Sequence, residues 1–180
     1  LVGSEMCIET GDIIGDTQHH GGNDKAIYAY AREELDYWQS ELSRPLASGC
    51  FGENLTTQGV DLSALLINQR LRIGTAVLEV SVPRQPCSTF AGWLGERGWL
   101  KRWTARGDCG TYLRIISPGR IQPGDSITMD TPPNHDITMR IAFAAKMGNR
   151  TLAQRVIEAG CLPAHQHNDL RLSLYTSDAA

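Results

Sequence analysis

The chain has 180 residues, a formal net charge of -3, 41% hydrophobic residues and 21% charged residues. This length suits one domain or one domain with a small appendage, and the composition excludes a disordered chain. The weak negative charge makes nucleic acid and membrane surfaces poor partners. No segment approaches the roughly 18 consecutive apolar residues of a membrane span. We therefore expect a cytoplasmic protein, whose native N-terminus precedes Leu1.

The cysteines give no sign of a shared site. Their number is odd and their spacing contains no C-x-x-C pair, which disfavours both a disulfide framework and a structural zinc site. Each thiol is therefore a separate candidate. The five are Cys7, Cys50, Cys87, Cys109 and Cys161.

The first predicted elements are a loop and a helix. Turn-forming residues, imidazoles and an amine lie together from Gly15 to Lys25, which predicts a loop. Apolar residues at helical spacing then predict a helix from Ala26 to about Leu42, capped by Asn23 or Asp24.

The centre of the chain has the period-two alternation of β-strands. Short strands joined by tight turns predict a compact, barrel-like β core. Segment 92–107, which carries three tryptophans, fits either a helix or a mobile amphipathic segment. The predicted strands lie near 55, at 71–73, at 76–82 before Pro83, and at 111–116, 120–121 and 126–129.

Helical patterns follow a predicted hinge at Thr131–Asn134. We expect helices from Ile137 to Met147 with Asp136 as cap, from Thr151 to Ala159, and a third that opens at Pro163. The predicted fold is mainly β with α (α+β). Its parts are a β-barrel domain over 1–130 and a small C-terminal helical subdomain over 131–180.

Cys87 is the strongest single candidate for chemistry. Pro83 and Pro86 fix the backbone before it, and Arg84 is three residues away. A nearby guanidinium favours the thiolate, which attacks electrophiles or binds soft metals. The alternative is a small buried hydrophobic residue in a chain that the prolines merely turn.

The glycine loop is a second candidate. Gly21 and Gly22 let backbone amides approach a ligand, while Lys25 and the N-terminus of the predicted helix favour an anion such as phosphate. His20, beside His19, would supply a proton near neutral pH. A tight turn with solvated histidines is the alternative.

Two further positions complete the candidate set. Asn54 lies in the Phe51–Leu55 cluster, where an acid and an amide follow a glycine. Arg114, in the second group of strands, would reach the same site from the sheet. The alternatives are that Asn54 lies in a plain turn and that Arg114 is an exposed arginine on a strand.

Together these pieces resemble a MOSC domain, the family named after the C-terminal domain of molybdenum cofactor sulfurases. Their order and spacing match the family, and the resemblance spans roughly Gly11 to Met129. The helical tail is similar to that of the YiiM-like branch. The matching pieces are Gly15-Asp16, His20-Gly21-Gly22-x-Asp24-Lys25-Ala26, Phe51-Gly52-Glu53-Asn54-Leu55, Pro83-Arg84-x-Pro86-Cys87, Tyr112-Leu113-Arg114 and Pro118-Gly119.

The resemblance implies a MOSC-type β-barrel core and a pyranopterin molybdenum cofactor. Cys87 would supply a thiolate to the metal or carry sulfur, with His20 and Lys25 beside it as a Lys-Cys-His grouping. One departure is that Met6–Ile14 does not resemble a regular N-terminal strand of the family. The implied cofactor-binding residues are Arg84, Lys25, Gly21, Gly22, Asn54 and Arg114.

The function implied is reduction of N-hydroxylated compounds, such as hydroxylaminopurines or amidoximes. The chain carries no flavin or iron-sulfur signature, so a partner reductase, a flavoprotein or an iron-sulfur protein, would supply electrons. A non-catalytic carrier of persulfide or molybdenum cofactor on Cys87 is the alternative, and a metal-free binding module is a third. Pyridoxal phosphate binding also belongs to the functions considered for the family. Apolar faces of the tail helices would either dock on the barrel or form a homodimer.

Overall fold

The computed structural model describes residues 6–8 and 22–176. Short 3-10 helices, Asn23–Lys25 and Leu62–Ala64, precede the second and fourth strands. The strands are β1 Met6–Ile8, β2 Ile27–Ala31, β3 Leu55–Thr57, β4 Arg70–Ile73, β5 Ala76–Val80, β6 Thr111–Ser117, β7 Gly119–Ile121 and β8 Ile127–Met129. The helices are α1 Arg32–Leu42, α2 Ser88–Leu94, α3 Trp99–Arg106, α4 Met139–Lys146, α5 Arg150–Ala159 and α6 Ala164–Thr176.

A curled six-stranded sheet forms a half-barrel, in the order β3-β2-β6-β5-β4-β8. β2 and β3 are parallel, and the other neighbours are antiparallel. β1 pairs with β7 in a separate two-stranded sheet, so the expected lack of a regular strand is wrong for Met6–Ile8. The predicted mixture of a β core with C-terminal helices is confirmed.

The predicted helix over 26–42 is wrong in its first part. Ile27–Ala31 forms β2, and α1 begins only at Arg32. All five residues of β2 are buried, because the strand lies between β3 and β6 and is covered on both faces. Burial on both faces removes the period-two signal, so the spacing of Ile27 and Tyr30 resembles helical periodicity. Asn23 lies in the 3-10 helix and does not cap α1.

Segment 92–107, left open by the sequence, lies in two helices. α2 and α3 are separated by a glycine-bounded turn over 95–98. Trp99 and Trp103 of α3 are buried, and the Trp99 ring centroid lies 4.5 Å from that of Trp38 on α1. This aromatic contact packs α3 against α1.

Backbone hydrogen bonds connect the start of the C-terminal helical region to the loop before β4. Ile67 N donates to Ile137 O at 3.0 Å, and Met139 N donates to Leu65 O at 2.8 Å. The predicted Asp136 cap is wrong. Thr138 caps α4, because its short hydroxyl side chain accepts the Ile141 N–H at 3.2 Å.

α5 begins after Asn149 and ends at Gly160, as its sequence predicts. The domain boundary at 130/131 stays a prediction. Over residues 6–8 and 22–176, no helix is long and apolar enough to cross a membrane.

A substitution at Gly110 tests how closely the start of β6 packs against β2. Its φ is +66°, and an added Cβ would lie 2.4 Å from Ala29 O and 2.7 Å from the Tyr30 ring. We expect Gly110→Ala to lower the free energy of unfolding by about 3 kcal/mol in urea denaturation, because overpacking adds to backbone strain. Gly107→Ala is the control, since its φ is also positive but its Cβ would meet open space. Equal losses in both variants would contradict the packing argument.

Candidate functional site

Cys87 lies at a junction between an extended segment and a helix. Residues 81–87 continue from β5, and Cys87 is the N-cap of α2, where its Sγ accepts the Phe90 N–H at 3.4 Å. The side chain is half-buried and borders two cavities. The structure therefore does not support the alternative of a sulfur sealed in the core.

We call the first cavity the polar cleft. It has a volume of about 470 Å³ and combines two cations, the Cys87 thiol and neutral hydrogen-bonding groups. The side chains that give it this character are Lys25, Arg84, Gln85, Cys87, Thr89 and Gln166.

We call the second cavity the aromatic pocket. It has a volume of about 410 Å³, and ring side chains dominate its walls. The two cavities share Arg84, Cys87, Thr89 and Tyr112, so they meet at the thiol. The residues that distinguish the aromatic pocket are Tyr28, Cys50, Phe51, Phe90 and Trp93.

Arg84 is held in place by aromatic rings and a carbonyl. Its guanidinium carbon lies 4.6 Å from the Tyr28 ring centroid and 4.4 Å from that of Phe90. Its Nη1 donates to the Phe51 carbonyl. Burial opposes the charge, but the neighbouring phenols of Tyr28 and Tyr112 keep the pKa of Arg84 above its usual value. The thiol therefore lies beside a fixed positive charge.

Lys25 brings a second positive charge to the polar cleft. Its Nζ lies 5.8 Å from the Tyr112 ring centroid, and Tyr112 in turn packs 5.2 Å from Tyr28. The predicted helix N-terminus behind Lys25 is wrong, because a 3-10 helix and β2 follow the glycine loop. The glycine loop therefore lacks the helix dipole that the sequence predicted behind it, and the positive charge at this loop comes from Lys25.

Arg114 and Asn54 border neither cavity, and both support residues that do. Arg114 bonds Asp24 at 3.1 Å and Glu79 at 3.0 Å, which ties the 3-10 helix that carries Lys25 to the sheet. Asn54 Oδ1 accepts the Tyr28 N–H, and Asn54 N donates to Tyr28 O, both at 2.8 Å. Direct contact of either residue with a cofactor stays a prediction.

The loop that contacts Arg84 is organised by Glu53. This buried carboxylate accepts hydrogen bonds from Gly49 N at 2.6 Å, Phe51 N at 3.0 Å and Thr56 Oγ1 at 3.1 Å. These bonds fix the loop whose Phe51 carbonyl receives Arg84. Glu53, the acid of the Phe51–Leu55 cluster, therefore influences the site indirectly, by holding the loop that contacts Arg84.

The glycine loop is only partly described. His20 and Gly21 lie outside the described residues. Gly22 is exposed with φ +104°, and its carbonyl accepts the Lys25 N–H at 2.9 Å, so it forms the turn that leads to Lys25. Over residues 6–8 and 22–176, no group of three or more His, Cys, Asp or Glu side chains is arranged to hold a metal.

The C-terminal helices contribute a wall that sequence reasoning missed. Gln166 of α6 borders the polar cleft, and Lys146 of α4 donates to its side-chain oxygen. Burial and the charge of Lys25 lower the pKa of Lys146 to about 8, against the opposing effect of Asp169. Only the tertiary fold brings Gln166 to Cys87, and no local motif marks it.

A further cavity of about 400 Å³ contains none of the predicted site residues. Two ion pairs lie in it, Arg106 with Glu34 at 2.5 Å and Arg140 with Asp108 at 3.2 Å. Its four carboxylates, Glu33, Glu34, Asp61 and Asp108, outnumber these two arginines, so the cavity is acidic and disfavours an anionic ligand. The cleft and pocket at Cys87 are therefore the candidate functional site.

The MOSC domain family model matches residues 16–128. The chain belongs to the MOSC domain family. This confirms the resemblance drawn from the motifs. The matched segment holds Lys25, Arg84 and Cys87, whereas Lys146 and Gln166 lie beyond it.

Three relatives extend the MOSC assignment. The chain is 36% identical over 155 residues to the uncharacterized protein YflK of Bacillus subtilis and 31% identical over 147 residues to YiiM of Escherichia coli. These alignments cover 84% and 80% of the chain, and 70% and 65% of the two relatives. A protein named reductase from Gibberella moniliformis is 31% identical over 135 residues, which is 71% of the chain and 24% of that protein.

Solved structures agree with the MOSC fold. YiiM from Geobacillus stearothermophilus superposes with a TM-score of 0.79 and 26% identity, over 96% of the chain and 86% of that structure. YiiM from Escherichia coli gives 0.80 and 23% identity, over 98% and 88%, which bears on the fold alone. Both superpositions include the helical tail, so the chain is YiiM-like in the MOSC domain and in the tail.

Selective labelling tests the exposure of Cys87. With substoichiometric iodoacetamide at neutral pH, we expect Cys87 to be alkylated before Cys50, Cys109 and Cys161. Burial raises the pKa of Cys109 to about 12 and that of Cys50 and Cys161 to about 11. Peptide mapping by mass spectrometry locates the label, and Cys87→Ser should remove it. Faster labelling of Cys109 would contradict this geometry.

Lys146 should make stability depend on pH. Its pKa is lowered from 10.5 to about 8 on folding, so the unfolded chain binds more protons between these values and stability rises with pH there. From about pH 7 to about pH 9, wild type should gain about 1 kcal/mol relative to Lys146→Met. Urea denaturation at both pH values measures the difference. If the difference in free energy of unfolding between wild type and Lys146→Met is the same at both pH values, Lys146 is not desolvated.

Proposed function

We propose that the protein reduces N-hydroxylated compounds, such as hydroxylaminopurines or amidoximes, with a molybdenum cofactor held beside Cys87. The observation that carries the proposal is the half-buried Cys87 thiol, where a cationic cleft and an aromatic pocket meet. Family membership supports it, because MOSC domains are commonly associated with this cofactor. The relative named reductase supports an oxidoreductase.

The residues of the polar cleft fit a pyranopterin molybdenum cofactor by their donor chemistry. Molybdenum accepts soft sulfur ligands, and Cys87 offers a thiolate. Lys25 and Arg84 offer positive charge to the cofactor phosphate, with Thr89 as a hydroxyl partner. The cofactor, when bound, supplies the two-electron redox chemistry.

The chain's own groups bind and orient the reactants. The Arg84 guanidinium keeps a positive charge beside the thiol, which attracts anionic groups of the cofactor or substrate to this point. Burial raises the pKa of Tyr112, so its hydroxyl stays protonated and can donate a hydrogen bond in both cavities. The aromatic pocket offers ring surfaces to a planar substrate on one side of the thiol.

Electrons must come from elsewhere, because the sequence carries no flavin or iron-sulfur signature. We propose a flavoprotein or iron-sulfur reductase as partner. His20 is the proposed proton donor and lies outside the described residues. Pyridoxal phosphate binding stays a prediction.

The second candidate function is a carrier of persulfide sulfur or of the molybdenum cofactor on Cys87. The half-exposed thiol favours it as well, since transfer of a sulfur requires access to a partner. A carrier would show one extra labile sulfur atom on Cys87 by intact mass and no turnover. The presence of molybdenum together with turnover would exclude a carrier-only role.

The test is molybdenum content and turnover of wild type beside Cys87→Ala. Protein isolated from cells that make the cofactor should contain molybdenum by mass spectrometry of the metal. It should reduce benzamidoxime or hydroxylaminopurine with a chemically reduced viologen as donor. Cys87→Ala should lose the metal and fall to background activity, because a thiolate ligand is gone.

Cys161→Ser is the matched control, because this cysteine borders neither the polar cleft nor the aromatic pocket. Its metal content and activity should match wild type. Equal molybdenum in wild type and Cys87→Ala would remove the ligand role. Loaded wild type that reduces no N-hydroxylated substrate would refute the catalytic assignment.

A further inference from the structure

We propose that Lys25, Lys146 and Gln166 form a subsite for a dianionic phosphate group, at the end of the polar cleft where the C-terminal helices close it. The subsite combines one residue of the MOSC segment with two residues of the tail, since the family match ends at residue 128. It requires no chemistry at the thiol, so its test is independent of the proposed turnover.

Contacts place the three residues together. Lys25 and Gln166 both border the polar cleft, and Lys146 donates to the side-chain oxygen of Gln166. Lys146 also lies close enough to Lys25 for their charges to interact. One residue of α4 and one of α6 therefore lie near Lys25 at one end of the cleft.

Lys146 fixes the orientation of the Gln166 amide. A lysine ammonium has donors and no acceptor, so the amide oxygen of Gln166 must face Lys146. The amide nitrogen then lies on the other branch of the side chain, with two N–H donors to offer to the cleft. Lys146 is thus a positioning residue for Gln166, and it also adds its own charge.

Charge decides which ligand suits this arrangement. Two ammonium groups held near each other repel, and burial strengthens that repulsion because water screens it less. Asp169 of α6 offsets part of it for Lys146. A tetrahedral dianion attracts both ammonium groups and accepts the Gln166 N–H bonds, and lysine is a common phosphate ligand. A neutral or cationic ligand would gain neither effect.

The experiment titrates purified wild-type protein, free of molybdenum, with inorganic phosphate by isothermal calorimetry near neutral pH. We expect saturable binding in wild type. Lys146→Met should weaken the affinity about tenfold, because it removes one nearby positive charge and the bond that orients the Gln166 amide. Gln166→Glu should abolish binding, because it replaces the donors with a negative charge. Thermal melts of each variant confirm that it folds.

Lys101→Met is the matched control, because Lys101 is an exposed lysine on α3 outside both cavities. Its phosphate affinity should change less than about twofold, since exposed distant charge is screened. Lys146→Arg should keep more affinity than Lys146→Met, because it restores the charge and the donor.

A pH series with inorganic sulfate separates the charge of Lys146 from mere packing. Sulfate keeps its own charge across the range, so a decline in affinity as pH rises through about 8 reports the loss of the Lys146 proton. Lys25 and Asp169 are the charged groups that act on it. The decline should be absent in Lys146→Met.

Two sources of phosphate are distinguished by repeating the titration with protein that carries molybdenum. Loss of phosphate binding on loading assigns the subsite to the cofactor phosphate. Retained binding assigns it to a phosphorylated substrate. The proposal is overturned if wild type binds no phosphate at millimolar concentration, if Lys146→Met binds as wild type does, or if Lys101→Met loses as much affinity.

Discussion

The site depends on one interaction, the placement of the Arg84 guanidinium between the rings of Tyr28 and Phe90. Tyr28 belongs to β2, and Phe90 belongs to α2, so the cation joins the sheet to the helix that begins after Cys87. Its bond to the Phe51 carbonyl adds a third segment, which Glu53 holds in place. An aliphatic residue at this position could pack between the rings but would leave the carbonyl unpaired, and the segment before Cys87 would lose its anchor.

Lys25 is positioned by a parallel chain of contacts. Arg114 and its carboxylate partners fix the 3-10 helix, and the Tyr112 ring lies beneath the ammonium. Tyr112 packs on Tyr28, so the two cations of the cleft rest on one continuous pair of rings. A change in the packing of either tyrosine would therefore move both charges relative to Cys87.

Much of the fold could be predicted from the sequence where burial affects one face only. The hairpin of β4 and β5 and the limits of α5 follow the expected patterns. β2 could not be predicted, because its burial on both faces erases the alternation by which strands are recognised. The same strand explains why the helix predicted after the glycine loop is wrong: β2 follows the loop, so Lys25 supplies the positive charge there.

The candidate site was predicted only where its residues cluster in short motifs. Arg84 and Cys87 lie within one motif, and the structure brings Lys25 to the same cleft. Asn54 and Arg114 lie in motifs too, but their hydrogen bonds support Tyr28 and Asp24. Lys146 and Gln166 carry no motif, because their place at the cleft arises from the docking of α4 and α6. Sequence spacing records local geometry and contains no trace of that contact.

The two cavities differ in what they can bind, and this difference orders the reactants around Cys87. Charged and phosphorylated groups gain most in the polar cleft, where lysine, arginine and amide groups replace their lost water. Trp93 is 78% exposed, yet its Nε1 donates to Cys50 O at 3.1 Å, which holds an indole ring at the edge of the aromatic pocket. A planar group that enters there would cover this exposed surface and gain the area that folding leaves open. Because Cys87 borders both cavities, the proposed cofactor in the cleft and the proposed planar substrate in the pocket would approach the same sulfur from different sides.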